Sequence, residues 1–404
     1  MYINRHIEKV LRKAGRQTKV VLLTGARQVG KTTSIRAVFP EYQYITLDDD
    51  NELNLARTDP SLFFRDRLFP VIIDEVQYEK GLMRSIKLHV DKNVGKGQIF
   101  LTGSQTYDLL SMTSETLAGR ISILEMSSLS CREVYGVEFD EPFLPTDEYI
   151  KRREKSVSSY DDIWRTIHRG SMPELSDPDR DIEWFYRDYM HTYVERDIRK
   201  IVNVRDELKF RSFMISLAAR SGQMLVYEDI ARDVGVDIKT VQHWTSVVDA
   251  SGLIKIIRPY YSNAIKRVVK TPKLYFMDTG LLCHLVGWKS AETAKNGAMS
   301  GSIFETFVVS EIIKSYINSG RGIDNIYYYR DKEKREIDLV IEEENTLYPV
   351  EIKKGAAVTG NWIKNFSVLS RIEDKKIGSG AVICQTDKPI PVTETVKALP
   401  VEYL

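Results

Sequence analysis

Three cysteines are all that the 404 residues carry: Cys131, Cys283 and Cys384. They are too scattered for a disulfide framework and lack the paired spacing of a zinc site. They read as ordinary reduced thiols of a cytoplasmic protein. No apolar run reaches the roughly 18 residues of a membrane span, so no membrane partner is expected. The opening stretch, Met1-Tyr2-Ile3-Asn4-Arg5, has no apolar signal-peptide core. Charge of one sign is also missing. The 58 Lys and Arg against 57 Asp and Glu leave a net +1, which excludes a strong whole-protein attraction to nucleic acid; any such surface has to be local. Repeats and low-complexity segments are absent. What remains is the composition of a soluble globular protein, 43% hydrophobic and 28% charged, at a length that suggests two or three domains.

The most informative stretch is Gly25-Ala26-Arg27-Gln28-Val29-Gly30-Lys31-Thr32, a Gly, four residues, then Gly-Lys-Thr, which is the Walker A spacing. Val20-Val21-Leu22-Leu23 before it reads as a buried parallel strand. Residues 32–38 after it read as a helix that stops at Pro40. The strand delivers the loop, and the helix start supplies free N–H groups and the positive dipole end. Gly25 and Gly30 let the backbone turn tightly against phosphates. Lys31 is placed for the β- and γ-phosphates of ATP and the Thr32 hydroxyl for Mg2+. Ala26, Arg27, Gln28 and Val29, with Thr33 just after, complete the expected nucleotide-binding set.

Val71-Ile72-Ile73-Asp74-Glu75 is an apolar strand ending in two carboxylates, the Walker B arrangement. Asp74 is expected to hold Mg2+ through its water shell, and Glu75 to orient and polarise the attacking water. A strand over residues 44–47 lies between the two motifs, followed by Asp48-Asp49-Asp50, which reads as a solvated loop or helix cap rather than a metal site. Residues 98–104 form a further strand, and its carboxyl end places Ser104, and less favourably Thr102, to sense the γ-phosphate. A helix-like stretch from Thr106 leads to Arg120, and residues 121–124 close the sheet. Residues 1–15 read as a helical lead-in with Ile3, Ile7, Val10 and Leu11 on one face; packing near the adenine and simple docking both stay open.

This order of Walker A, Walker B, polar residue on the next strand and basic residue after the next helix resembles the AAA-type P-loop ATPases. The resemblance implies ATP and Mg2+ as cofactors and a possible homo-oligomer. Arg120 then resembles an arginine finger that completes a neighbour's site, with an intrachain ion pair as the equal alternative. Ser104 departs from the Asn usual at the sensor position.

Residues 140–159, polar and with Pro142 and Pro145, read as a loop or insertion. Residues 164–204 read as helical, with Arg196 a weaker finger candidate. Residues 213–219, 227–234 and 238–250 read as three helices with Gly235 at a turn, and 253–257 and 273–277 as a β pair. That pattern resembles a winged helix. Its basic residues Lys255, Arg258, Lys266, Arg267, Lys270 and Lys273 favour nonspecific contact with DNA or another nucleic acid, against a protein-docking alternative.

Near the carboxyl end, residues 303–316 have helical apolar spacing with Glu305 on the apolar side, where an acid calls for a partner or metal. Strands follow at 326–329, 337–341 and 348–353. A hairpin turn at Glu344-Asn345 sets Asp338 opposite Glu351, with Lys353 on the same side. Helix Glu, strand Asp and Glu-x-Lys in that order resemble the PD-(D/E)-x-K nuclease fold. The resemblance implies Glu305, Asp338 and Glu351 as metal ligands, with Glu351 and Lys353 catalytic. The expected fold class is thus α/β: a P-loop parallel-sheet ATPase domain over 1–130, a mainly helical connection over 131–208, a winged-helix-like domain over 209–285, and a restriction-endonuclease-like α/β domain over 286–404. The whole resembles prokaryotic AAA-type ATPases fused to such domains. Two functions follow from it: ATP hydrolysis coupled to nucleic-acid binding or cleavage, or a regulatory ATPase whose terminal domains bind protein partners.

Overall fold

The computed structural model describes residues 2–65, 67–92, 95–103, 109, 113, 116–160, 162–193, 206–261 and 270–404. The first sheet has strands β1 (Val20–Thr24), β2 (Gln43–Thr46), β3 (Val71–Asp74), β4 (Ile99–Thr102) and β5 (Ile121–Glu125). All are parallel, in the order β2-β3-β4-β1-β5. Strand β1 is buried along its whole length, as a central strand covered on both faces must be. Its period of two sorts the side chains. Val21 and Leu23 join the core shared with helices Ile7–Gln17 and Lys31–Val38. Val20 and Leu22 face the opposite core with Met83 and Ile86 of helix Leu82–Lys92. The P-loop therefore leaves the carboxyl edge of the sheet from an interior strand, between β4 and β5. The lead-in helix is a docking helix on this face, with Ile7, Leu11 and Ala14 buried.

Residues 140–159 are not simply a loop. Helix Asp147–Glu154 starts there, with the Thr146 side chain accepting from the Tyr149 N–H. Tyr149 and Ile150 are buried, so an amphipathic turn wins over the proline-rich flank. Helices Ile163–Arg169 and Ile182–Tyr189 follow. Arg196 lies outside the described residues.

Next come helices Glu207–Ala218, Tyr227–Val234 and Ile238–Ala250, with Gly235 at φ 69° where the second ends. Strands β6 (Ile254–Ile257) and β7 (Lys273–Phe276) pair antiparallel, and Met224 bridges to Lys273. Three helices and a small sheet lie in the order the sequence predicts. Lys266 and Arg267 lie outside the described residues.

The second sheet contains β8 (Ile326–Arg330), β9 (Glu336–Glu343), β10 (Thr346–Ile352), β11 (Lys376–Ile377), β12 (Gly380–Cys384), β13 (Ile390–Pro391) and β14 (Val396–Pro400). Its order is β13-β14-β12-β10-β9-β8, with β11 beside β10. Helix Ser300–Asn318 packs against it and is buried almost throughout. The β9–β10 register pairs Thr346 with Glu343 and Val350 with Leu339, so the predicted turn at Glu344-Asn345 is correct. The final residues return to the middle of the chain. Arg132 Nε donates to Leu404 O at 2.7 Å, Tyr149 Oη to Tyr403 O at 2.8 Å, and Arg153 Nη2 to Glu402 O at 2.6 Å. One hydrophobic core accordingly runs from Ile7 to Leu404.

Candidate functional site

The loop between β1 and helix Lys31–Val38 has the backbone that its glycines predict. Gly25 has φ 137° and Gly30 φ 93°. A side chain at Gly25 would collide with the Met126 carbonyl oxygen, so only glycine fits there. Gln28 also takes a positive φ, 61°. Lys31 is buried, and its ammonium donates to Gly25 O at 2.9 Å and Ala26 O at 2.7 Å. Burial pushes its pKa down to about 8, against the pull of the Glu75 and Asp74 carboxylates.

Asp74, at the end of β3, meets the loop directly. Thr32 Oγ1 donates to its Oδ2 at 2.8 Å. Tyr44 Oη donates to the same oxygen at 2.9 Å, and Thr102 Oγ1 donates to Oδ1. Thr102 thus orients Asp74 from the neighbouring strand rather than facing a phosphate. Tyr44 is pushed up to about 12 by burial and by Asp74. Glu75 follows with φ 54°, a strained turn for a non-glycine residue, and Gln77 Nε2 donates to its carboxylate. The oxygen-only donor set of Thr32 and Asp74 suits a hard cation such as Mg2+. Ser104 lies outside the described residues.

Arg120 stands at the opposite edge of the sheet, where its carbonyl accepts from the Val20 N–H at the start of β1. Its guanidinium pairs with Asp91, Nε to Oδ1 at 2.5 Å. It cannot serve its own chain's loop from there. Asp49 caps helix Asp50–Thr58, accepting from the Asn51 and Glu52 N–H groups, which settles the acidic run as a cap.

Arg5 is a residue that motif reading misses. It is 5% exposed. Its Nη1 donates to Val29 O at 2.7 Å, its Nη2 to Ser127 O at 2.8 Å, and its Nε to Glu133 Oε1 at 3.0 Å. Tyr189 Oη reaches the carbonyl of Arg27 at 3.4 Å. Neither had a local sequence signal, because each partner is more than 20 residues away.

In the second sheet, Asp338, Glu351 and Lys353 converge as the hairpin predicts. Lys353 Nζ lies 2.5 Å from Glu351 Oε1 and 3.9 Å from Asp338 Oδ2, and the Ile352 N–H donates to Asp338 Oδ2 at 2.8 Å. Burial and the adjacent Asp338 raise Glu351 to about 7. Glu305, within electrostatic reach of Asp338 and Lys353, has further partners of its own. Its Oε1 accepts from Lys273 Nζ at 3.1 Å and from Tyr275 Oη at 2.8 Å. Burial raises Glu305 to about 7 as well, with Lys273 opposing. Among the described residues no three His, Cys, Asp or Glu side chains form a group that could hold a metal ion. Lysines stand beside these carboxylates as counter-charges, Lys353 by Glu351 and Asp338 and Lys273 by Glu305.

Those lysines also correct the basic-surface expectation. Lys273, 3% exposed, pairs with Glu305 and, at 2.6 Å, with Glu336. Lys255 pairs with Glu125 of β5 at 2.7 Å. Two of the six cations expected to face nucleic acid are spent inside the chain.

The family model described as an AAA domain matches residues 17–135, the stretch that carries this loop and its partner carboxylates. Residues 17–135 are an AAA-type P-loop ATPase domain. Two further models match beside the AAA domain, each described as a domain of unknown function, at residues 160–292 (DUF8612) and 300–404 (DUF4143). The chain is similar to uncharacterized proteins of Mycobacterium bovis and Mycobacterium tuberculosis, each 27% identical over 98% of this chain and 82% of the relative. Among solved structures it is similar to a Walker-type ATPase of Pyrococcus abyssi (16% identity, 69% of this chain and 94% of that one, TM-score 0.40). It is also similar to the RuvB Holliday junction branch migration motor of Thermotoga maritima (18% identity, 66% and 95%, TM-score 0.30). Among the described residues no helix is long and apolar enough to cross a membrane.

Proposed function

We propose that this protein is an Mg2+-dependent ATPase that works as a switch, its carboxyl-terminal part binding a partner rather than cutting nucleic acid. The observation that carries the ATPase reading is the 2.8 Å bond from Thr32 Oγ1 to Asp74 Oδ2. It joins a helix-start hydroxyl to a strand-end carboxylate 42 residues away, beside a buried lysine. Lys31 pairs with the β- and γ-phosphates, and the N–H groups of Gly25 to Thr33 cradle them. Thr32 and Asp74 would hold Mg2+, which when bound would supply positive charge against the phosphate oxygens. Glu75, steadied by Gln77, orients the attacking water. Arg120 serves a neighbouring copy, exchanging Asp91 for that copy's nucleotide. Lys31→Ala should abolish nucleotide binding, and Glu75→Gln should retain ATP while slowing turnover. Wild-type hydrolysis rates in both variants would overturn the reading.

The partner-binding part rests on the paired lysines. Lys273 is buried between Glu305 and Glu336, and the part-exposed Lys353 is paired with Glu351, so both cations are neutralised within the chain. A nuclease assay with Mg2+ and Mn2+ on single- and double-stranded substrates, with ATP present or absent, should leave them whole. Cutting that disappears in Asp338→Ala would restore the nuclease reading.

A further inference from the structure

We propose that Arg5 is a positioning residue for phosphate binding, acting through the carbonyl of Val29 and itself held by Glu133; the proposal rests on the nucleotide reading of the P-loop. The argument begins with the peptide bond. It is planar and trans, so its C=O and N–H point in opposite directions. Arg5 Nη1 takes the Val29 carbonyl at 2.7 Å, and this turns the Gly30 N–H away from Arg5. Gly30 is the glycine before Lys31, and its N–H belongs to the amides with which such loops cradle phosphate. At φ 93° its flanking peptide is not fixed by helix or strand, and an outside donor has to fix it. Tyr189 does the same for the Gln28 N–H, two residues earlier in the loop, by reaching the carbonyl of Arg27.

The rest of the Arg5 fork is anchored. Its Nη2 donates to Ser127 O at 2.8 Å and Ser128 O at 3.3 Å, and its Nε to Glu133 Oε1 at 3.0 Å. The ion pair is deep, with side-chain exposures of 3% for Arg5 and 0% for Glu133. Glu133 is anchored in turn by the N–H groups of His6 at 2.9 Å and Ser130 at 2.8 Å. A planar guanidinium with five fixed donors can meet all these acceptors together; an ammonium on a flexible stem cannot. Helix Cys131–Val134, which carries Glu133, also binds helix Ser300–Asn318, because the Cys131 N–H donates to Glu311 Oε2 at 2.7 Å. The loop's amide geometry is thus set by a residue anchored on a helix that Glu311 of the carboxyl-terminal part holds in turn.

The test uses the full chain as wild type, Arg5→Lys, Arg5→Ala and Glu133→Gln. KM and kcat for Mg2+-ATP are measured, together with the rise in melting temperature that saturating Mg2+-ATP produces. A cradle amide touches the phosphates in ground and transition state alike, so its loss raises KM and leaves kcat little changed. Arg5→Lys should raise KM about tenfold, the weight of one charge-assisted hydrogen bond, and shrink the nucleotide-induced rise in melting temperature. Glu133→Gln should move both in the same direction by less. Arg5→Ala should show the largest effect; if it does not fold, Arg5→Lys, which keeps the cation beside Glu133, decides alone. A purely structural ion pair would lower the melting temperature without nucleotide and leave KM and the nucleotide-induced rise at wild-type values, and that result overturns the proposal. A wild type with no nucleotide-induced rise overturns instead the nucleotide reading on which it rests.

Discussion

ATP affinity should fall as pH rises through about 8, because the free chain loses the Lys31 proton there. Burial, partly offset by the Glu75 and Asp74 carboxylates, moves this ammonium from 10.5 to about 8, a net cost of about 3 kcal/mol for the charged form. Bound phosphates supply the missing anionic field and hold the proton in the complex, so binding above pH 8 includes proton uptake. The sign follows. Below about pH 8 Lys31 is charged with or without ligand, and affinity is flat. Above it, the competent fraction of free chain drops about tenfold per pH unit. At pH 9.5 about one chain in thirty is protonated, and the apparent Kd should be about thirtyfold weaker than at pH 7. Fluorescence titration with a labelled ATP analogue and Mg2+ across pH 7–9.5 measures this. Lys31→Arg, whose guanidinium stays charged over the range, should bind with no such slope. A wild-type affinity at pH 9.5 within about twofold of that at pH 7 would refute the reasoning.

Gly25→Ala should abolish nucleotide binding and lower stability by about 2 kcal/mol or more, because the added methyl meets the Met126 carbonyl at a backbone angle that alanine avoids; a variant that binds ATP normally would disprove it. Lys273→Met should cost about 3–5 kcal/mol in denaturant unfolding by leaving Glu305 buried without its cation, whereas Glu336 keeps Arg330, and adding Glu305→Gln should recover part of that; an unchanged midpoint in the single variant counts against the pair. Glu351, raised to about 7 from 4.5, keeps a proton between those values that the unfolded chain releases, so its contribution to stability falls as pH rises through that window and its cost is complete above about 7. Glu351→Gln should therefore compare better with wild type at pH 8 than at pH 5, by about 1–3 kcal/mol, and a difference independent of pH would rule this out.

What the sequence discloses and what it hides divide along the length of the contacts. The strand, loop and helix at residues 20–38 are legible because Val20 to Leu23, the two glycines and Lys31-Thr32 are neighbours in the chain. The facing of Asp338 and Glu351 is legible for the same reason, since a short turn fixes register. Lys255 and Lys273 are misread as surface cations because Glu125 and Glu305 lie 130 and 32 residues away. Arg5 looks like any charged residue before a helix until Val29 and Glu133 are placed beside it. The helix at Asp147–Glu154 did leave a signal, a Thr followed by Asp and Glu, which is a helix start. Two prolines upstream outweighed it in a reading by composition.

The return of residues 402–404 to residues 132–153 bears on how the chain is made. These hydrogen bonds span 272, 254 and 249 positions. Non-local contacts form late, since loop closure has to precede any gain from them. A chain emerging from the ribosome has all the strands of its first parallel sheet once residue 125 is out, because β1 to β5 pair only with one another. In the helix at Asp147–Glu154, Arg153 meets the acceptor Ser156 O three residues on, but some 250 further residues must follow before Tyr149 Oη and Arg153 Nη2 find theirs. Until then the helix offers Tyr149, Ile150 and a buried-type arginine to whatever is near, which is the exposure that chaperones bind.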